Sequence, residues 1–139
     1  MKKIFLLAIF ISLGLYSYAN DSDFSKSLKD CLYYTESGQV NTDGVNVQTT
    51  KQILGWNGNK CTYKEKMQFS GMNVDVTCNF NKSQLQEISS VIDAYSLVQQ
   101  YSGETVDTKN SQEVQNNPVV KVWNKYLQNS SVCNISGLQ

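Results

Sequence analysis

Four cysteines are the residues of this chain that could act together as a chemical site. Structural zinc sites usually hold their ligands in closely spaced pairs, and redox-active cysteines usually form a Cys-x-x-Cys pair. No two cysteines of this chain stand that close, so we predict no metal site, no redox centre and no cofactor. An even number of cysteines in an exported chain is typical of disulfides instead. We therefore predict two disulfides among Cys31, Cys61, Cys78 and Cys133.

A β-hairpin must position two of these cysteines, because residues 60–80 alternate almost throughout between apolar and polar side chains. Apolar side chains occupy the odd positions up to Phe69 and the even positions from Met72 onward. A two-residue turn at Ser70-Gly71 accounts for this change, and it sets Phe69 opposite Met72. Glu65 is the exception on the apolar face, and we expect it at the margin of that face or paired with a lysine.

The pairing of the cysteines stays open, because four cysteines allow three connectivities. A four-stranded meander brings Cys31, Cys61 and Cys78 to one end of the sheet, and Cys133 joins them if the last helix returns there. The preferred prediction is a Cys61–Cys78 bridge nested inside a Cys31–Cys133 bridge. The expected register sets Cys78 opposite Tyr63, however, so a direct Cys61–Cys78 bridge would be strained.

Three segments have the periodicity of amphipathic helices. The first is a short segment at about 23–32, on whose buried stripe Cys31 falls. The second covers 83–103, and Ser83 with Gln86 forms a capping box at its start. The third begins at the chain's one proline, which suits the first position of a helix.

The order of these elements predicts an α+β fold. A short N-terminal helix precedes a four-stranded antiparallel meander, and two C-terminal helices pack on one face of the sheet, with disulfides as cross-links. Residues 104–112 have no core pattern and are expected to form a surface loop. The closing segment 131–136 is expected to be a tail pinned to the body of the domain.

The first 19 residues predict a signal peptide. Lys2 and Lys3 precede an apolar run from Ile4 to Leu15, and small residues precede a cleavage site after Ala19. A membrane anchor is the competing interpretation, but this run is shorter than the roughly 20 residues that a spanning helix needs. We expect one exported domain at 20–139, in a bacterial periplasm or outside the cell, with no membrane contact after cleavage.

Composition excludes several classes of function. The chain has no arginine and no histidine, and the loss of Lys2 and Lys3 turns its formal net charge of zero into two net negative charges, so we predict that nucleic acid is not a partner. Without imidazole there is no Ser-His or Cys-His nucleophile pair, and the acidic residues are scattered over different faces of the expected fold. We therefore predict that the protein is not an enzyme.

Two features are candidates for contact with a partner. Trp56 lies in a glycine-flanked turn, where tryptophan can anchor a partner, although such a residue more often folds back over the edge of the core. Lys60, Lys64 and Lys66 form a basic stripe on the solvent side of the predicted hairpin, and Asp75 places an opposite charge on the same side. The stripe can dock an acidic partner, or it can keep the sheet from pairing with other sheets.

These observations predict a small exported, non-enzymatic protein that binds another macromolecule, such as an inhibitor of a foreign enzyme or a component of an envelope complex. Its expected contact surface is the polar face of the sheet together with the Trp56 turn. The alternative is a carrier of a small apolar ligand, held in a cavity between sheet and helices. The residues that would line this cavity are Tyr63, Met67, Val74, Val76, Leu85 and Ile92.

Overall fold

The computed structural model describes residues 21–42, 44–102 and 115–137. The predicted signal peptide at 1–19 and the predicted surface loop at 104–112 lie outside the described residues. Among the residues described, no helix is long and apolar enough to cross a membrane.

The described residues form three helices and five strands, and the predicted α+β fold is confirmed. In chain order the elements are α1 (Asp21–Asp30), β1 (Tyr34–Thr42), β2 (Val45–Asn57), β3 (Lys60–Phe69), β4 (Met72–Phe80), α2 (Lys82–Ser102), α3 (Pro118–Leu127) and β5 (Cys133–Ser136). The strands form one antiparallel sheet in the order β1-β2-β3-β4-β5.

The register of the β3–β4 hairpin is the predicted one. Phe69 lies opposite Met72 and Tyr63 opposite Cys78. Ser70 and Gly71 both have positive φ, 47° and 76°, which the tight turn between two twisted strands requires. The alternation of residues 60–80 therefore places the odd positions of β3 and the even positions of β4 toward the core.

The closing segment contains a fifth strand where the sequence predicts only a pinned tail. β5 pairs with β4, and Cys78 lies opposite Cys133 while Asp75 lies opposite Ser136. A strand of four residues carries too short an alternation to stand out in the sequence. Just after it, Gly137 has a φ of +88°, and a side chain there would collide with the backbone carbonyl of Asn73.

One register shift interrupts the pairing of β2 with β3, and it lies at Leu54 between Ile53 and Gly55. Up to this bulge the even positions of β2 face away from the core. Beyond it the parity changes, because the extra residue rotates the rest of the strand. Trp56 consequently lies opposite Cys61, on the side of the sheet that carries the core.

The helices cover the core side of the sheet. Buried side chains from all three helices belong to one core cluster with the inward-facing residues of the sheet; from the helices they are Phe24, Leu28, Leu85, Ile88, Ile92, Val119, Val122 and Tyr126. Asn117 caps α3 by accepting a hydrogen bond from the amide of Val119 at 2.9 Å. At the start of α2 the capping pair is Asn81 with Gln84, not the predicted Ser83 with Gln86, because the helix begins at Lys82 and the residue before it is the cap.

A polar contact at the surface joins α2 to α3. The amine of Lys125 donates to Oε1 of Glu87 at 2.9 Å, and the hydroxyl of Tyr126 donates to Oε2 of the same carboxylate. These two donors hold the pKa of Glu87 below its ordinary value.

Candidate functional site

The four cysteines form two disulfides, as predicted, but the preferred connectivity is wrong. Cys31 is bonded to Cys61 and Cys78 to Cys133, with Cα–Cα distances of 5.9 and 4.0 Å. The physical reason is the fifth strand, which sets Cys133 directly opposite Cys78. Cys61 has Phe80 opposite it on β4, so its nearest cysteine is the one that follows α1.

Both bridges are structural. All four cysteines are at least 96% buried, so none presents a reactive group at the surface. One bridge ties the end of α1 to β3, and the other ties β5 to β4. Within the described ranges there is no free cysteine and no cluster of side chains that could hold a metal ion. Two disulfides are typical of a protein that folds in an oxidising compartment.

The side of the sheet away from the helices has no cover among the described elements, and we call it the open face. It carries the odd positions of β1 and β4 and the even positions of β3, β5 and of β2 up to Gln52. Every one of these residues is polar. The predicted basic stripe lies here, with Lys64 and Lys66 exposed and Lys60 partly buried; Lys66 stands opposite Asp75.

Trp56 lies in β2 and not in the predicted turn, and it does not lie on the open face with the lysines. It is 46% exposed, at the margin of the core side, next to the exposed Leu54 of the bulge. Leu32 and Tyr33 are also exposed and precede β1 directly, beside this end of β2. We call these four residues the apolar corner. The structure thus separates the two predicted contact features onto different sides of the sheet.

The open face carries a group of uncharged amides that the sequence analysis does not single out. Gln39, Gln48, Gln68 and Asn73 follow one another across β1, β2, β3 and β4, each opposite the next. A shorter row next to it pairs Asn41 with Asn46. We call these six residues the carboxamide patch. The sequence has glutamine and asparagine at outward positions of the strands, but only the register between the strands shows that these residues form rows.

A shallow cavity of about 370 Å³ opens at the carboxamide patch, near the β3–β4 turn. Its lining residues are Asn46, Gln48, Gln68, Phe69, Ser70, Gly71, Met72 and Asn73. No hydrogen bond within the described residues occupies the side-chain amides of the patch. Because a carboxamide both donates and accepts hydrogen bonds, this lining suits an uncharged polar group.

A second group of polar side chains lies inside the core and includes Glu65. The sequence predicts that Glu65 lies at the margin of the apolar face or pairs with a lysine. Glu65 is 92% buried and stands opposite the buried Lys51 of β2, which in turn stands opposite Glu36 of β1. The Tyr63 hydroxyl donates to Oε2 of Glu65 at 2.9 Å, while Oε1 of Glu65 has no hydrogen-bond partner. The amine of Lys51 lies 5.3 Å from the centre of the Phe24 ring.

Burial raises the pKa of Glu65, and the charge of Lys51 and the hydrogen bond from Tyr63 offset only part of this shift. Burial also raises the pKa of Tyr63 well above its ordinary value, so its hydroxyl stays protonated and donates. The cavity at the carboxamide patch lies on the other side of the sheet from this cluster. The cluster therefore bears on stability, and the open face is the candidate contact site.

Comparison of the chain with protein-family models, with curated proteins and with solved structures gives no match.

Proposed function

We propose that the protein is a small exported, non-enzymatic binding protein that contacts another protein or an envelope component through the open face of its sheet. Its compartment is the periplasm of a bacterium or the medium outside the cell, after removal of residues 1–19. An inhibitor of a foreign enzyme and a subunit of an envelope complex both fit this class.

The observation that carries the proposal is the uncovered carboxamide patch with its cavity of about 370 Å³. A surface that is merely solvated does not need aligned rows of amides, whereas a partner's backbone or hydroxyl groups can be matched by them. Lys64 and Lys66 lie beside this patch on the same face and give it positive charge. Such charges increase the rate and the selectivity of association with an acidic partner.

The apolar corner supports binding as well. A half-exposed tryptophan next to other exposed apolar side chains is the kind of group that anchors interfaces. It stands at the end of the sheet away from the carboxamide patch, and its Trp56 lies on the core side. A partner that uses both must therefore extend along the strands and around the end of the sheet.

The carrier alternative finds no favouring observation among the described residues. The six residues proposed to line its cavity all belong to the buried core cluster. The cavity at the carboxamide patch has a different, mainly polar lining.

Site-specific cross-linking in the native envelope tests the proposal. A photoreactive residue replaces Gln68 on the open face in one variant and the exposed Lys121 of α3, on the helical side, in a matched variant. We expect discrete cross-linked products from position 68 and not from position 121. The double reversal Lys64→Glu and Lys66→Glu should weaken the product from position 68. Equal products from both positions, or none from position 68, would overturn the proposal.

A further variant assigns the role of the apolar corner. Trp56→Ala should reduce the cross-link from position 68 if the partner extends along the strands to the corner. An unchanged cross-link would restrict the contact to the carboxamide patch and the lysines, and it would overturn the contribution of the corner.

A further inference from the structure

The outer edge of β1 is the longest strand edge that lacks a neighbour among the described residues. β1 has nine residues and pairs with β2 alone, whereas the other edge strand, β5, has four. Backbone amide and carbonyl groups alternate in direction along a strand, so half of those in the segment 37–41 point away from the sheet. Such groups are a template for another strand.

β1 also lacks all but one of the features by which proteins usually protect an edge, the exception being a charge that points inward. It contains no lysine and no proline, and its nine pairs with β2 run without a bulge. Its one charged residue is Glu36, which faces the core side opposite Lys51. Edges that are long, regular and nearly uncharged pair readily with other strands.

The outward side chains of β1 are complementary to themselves. Hydroxyl groups stand at Thr35 and Ser37, and carboxamides stand at Gln39 and Asn41, all on the open face. A two-fold axis through Gly38 sets Ser37 opposite the partner's Gln39 and Thr35 opposite the partner's Asn41. Within the chain Ser37 is hydrogen-bonded to Thr50 and Thr35 donates to Tyr33. Each hydroxyl oxygen can still accept a hydrogen bond from the carboxamide that it meets.

We propose that β1 pairs antiparallel with β1 of a second copy of this chain about a two-fold axis at Gly38, so that one sheet continues through both copies. The interface is isologous, as closed dimers require. The two Glu36 carboxylates stay roughly 13 Å apart in this register, since four residues separate them along the strands. Without residues 1–19 the chain has ten lysines and twelve acidic residues, a formal net charge of −2 per copy, which adds no strong repulsion between the copies.

The pairing goes beyond the proposed function, because it uses the edge of the sheet and leaves the open face uncovered. The axis is perpendicular to the sheet, so the open faces of the two copies lie on the same side. Two carboxamide patches then face one direction, and a partner with two matching sites would bind both with an increased effective affinity.

Sedimentation equilibrium of the oxidised protein over a roughly hundred-fold range of concentration tests the pairing. We expect the average mass to rise from one copy toward two. The double variant Ser37→Lys and Gln39→Lys sets a lysine opposite a lysine at two places, and it should raise the dissociation constant roughly tenfold. Mixing it with the double variant Ser37→Glu and Gln39→Glu should restore association, because each lysine then meets a glutamate.

The matched control is the double variant Asn134→Lys and Ser136→Lys on the opposite edge strand, which should associate like the unaltered chain. Thermal unfolding of every variant shows whether it is folded. The mass of a single copy at all concentrations would overturn the proposal. So would equal weakening by the β1 and β5 variants, or no recovery in the mixture of oppositely charged variants.

Discussion

The two edges of the sheet are stabilised by different chemistry. β5 is short, and a disulfide between directly opposed residues fixes it to β4. β1 is more than twice as long and has no covalent link to its neighbour: backbone pairing and a hydrogen bond between Ser37 and Thr50 join the two strands. The half-buried Glu36 of β1 begins a row that continues to the buried Lys51 and Glu65 on the next two strands. An edge held by a disulfide loses stability when the disulfide is reduced. A row of buried ionisable side chains makes stability depend on pH instead. The comparison teaches that the length of an edge strand does not decide how firmly it is held.

The largest effect should come from removing the covalent link at β5. We expect the double variant Cys78→Ala and Cys133→Ala to lose about 2–4 kcal/mol of unfolding free energy, since the unfolded chain regains the freedom of a long loop. Denaturant unfolding measures the loss, and amide hydrogen exchange shows where it acts. The amides of β5 should exchange much faster while those of β1 keep their protection.

The double variant Cys31→Ala and Cys61→Ala is the control for this prediction. It should lose a similar or slightly smaller free energy, because its disulfide closes the shorter loop, 30 against 55 residues of separation. Its β5 amides should stay protected. Fast exchange of β5 in both variants would show that the edge depends on general stability and not on its own bridge.

A smaller effect is expected at Gly137, where the chain leaves β5 close to β4. Gly137→Ala forces a side chain onto a left-handed backbone and against the carbonyl of Asn73, so it should cost about 1 kcal/mol or more. Gly44→Ala is the matched control, because Gly44 has a similar φ of +77° and open space around it. The difference in denaturation midpoint measures the close approach alone. Equal losses would show that this contact does not hold the end of β5.

The smallest effect is the pH dependence of stability expected from Glu65, the β3 member of the row that begins on β1. Burial raises the pKa of Glu65, so the folded chain keeps this proton to higher pH than the unfolded chain does. The stability that this group contributes is full below the unfolded pKa, about 4.3, and is lost as the pH rises through the folded pKa. Glu65→Gln removes this loss and should flatten the decrease in unfolding free energy above about pH 4.

Glu87→Gln provides a control of opposite sign. The pKa of Glu87 is lowered by the hydrogen bonds from Lys125 and Tyr126, so its contribution is present above the unfolded pKa and is lost as the pH falls through the folded one. Urea denaturation across the pH range separates the two carboxyl groups. The same slope in the Glu65→Gln variant and the unaltered chain would contradict a raised pKa of Glu65 in the folded state.

The sequence predicts local features of this fold better than distant ones. The alternation of residues 60–80 determines the hairpin register because opposed residues on two joined strands must share a face. The disulfide pairing could not be predicted in the same way. It depends on β5, whose four residues meet β4 across the long separation between Cys78 and Cys133. Contacts of that range have no periodic signal in the sequence.

The candidate site was predicted only in part, for a related reason. Alternation places Lys64 and Lys66 on the solvent side of the sheet, as the structure does. It assigns no side of the sheet to Trp56, because one extra residue at Leu54 reverses the parity of the strand and leaves no mark in composition. The rows of the carboxamide patch need the register of four strands at once, which no single stretch of sequence contains.

Both disulfides lie at the same end of the sheet, where β3 begins and β4 ends. The opposite end, with the β3–β4 turn and the cavity, has no cross-link among the described residues. Thermal fluctuations should therefore grow along the strands with distance from the bridges, as in a ribbon fixed at one end. The surface that we assign to binding lies at the end where the backbone can adjust most to the shape of a partner.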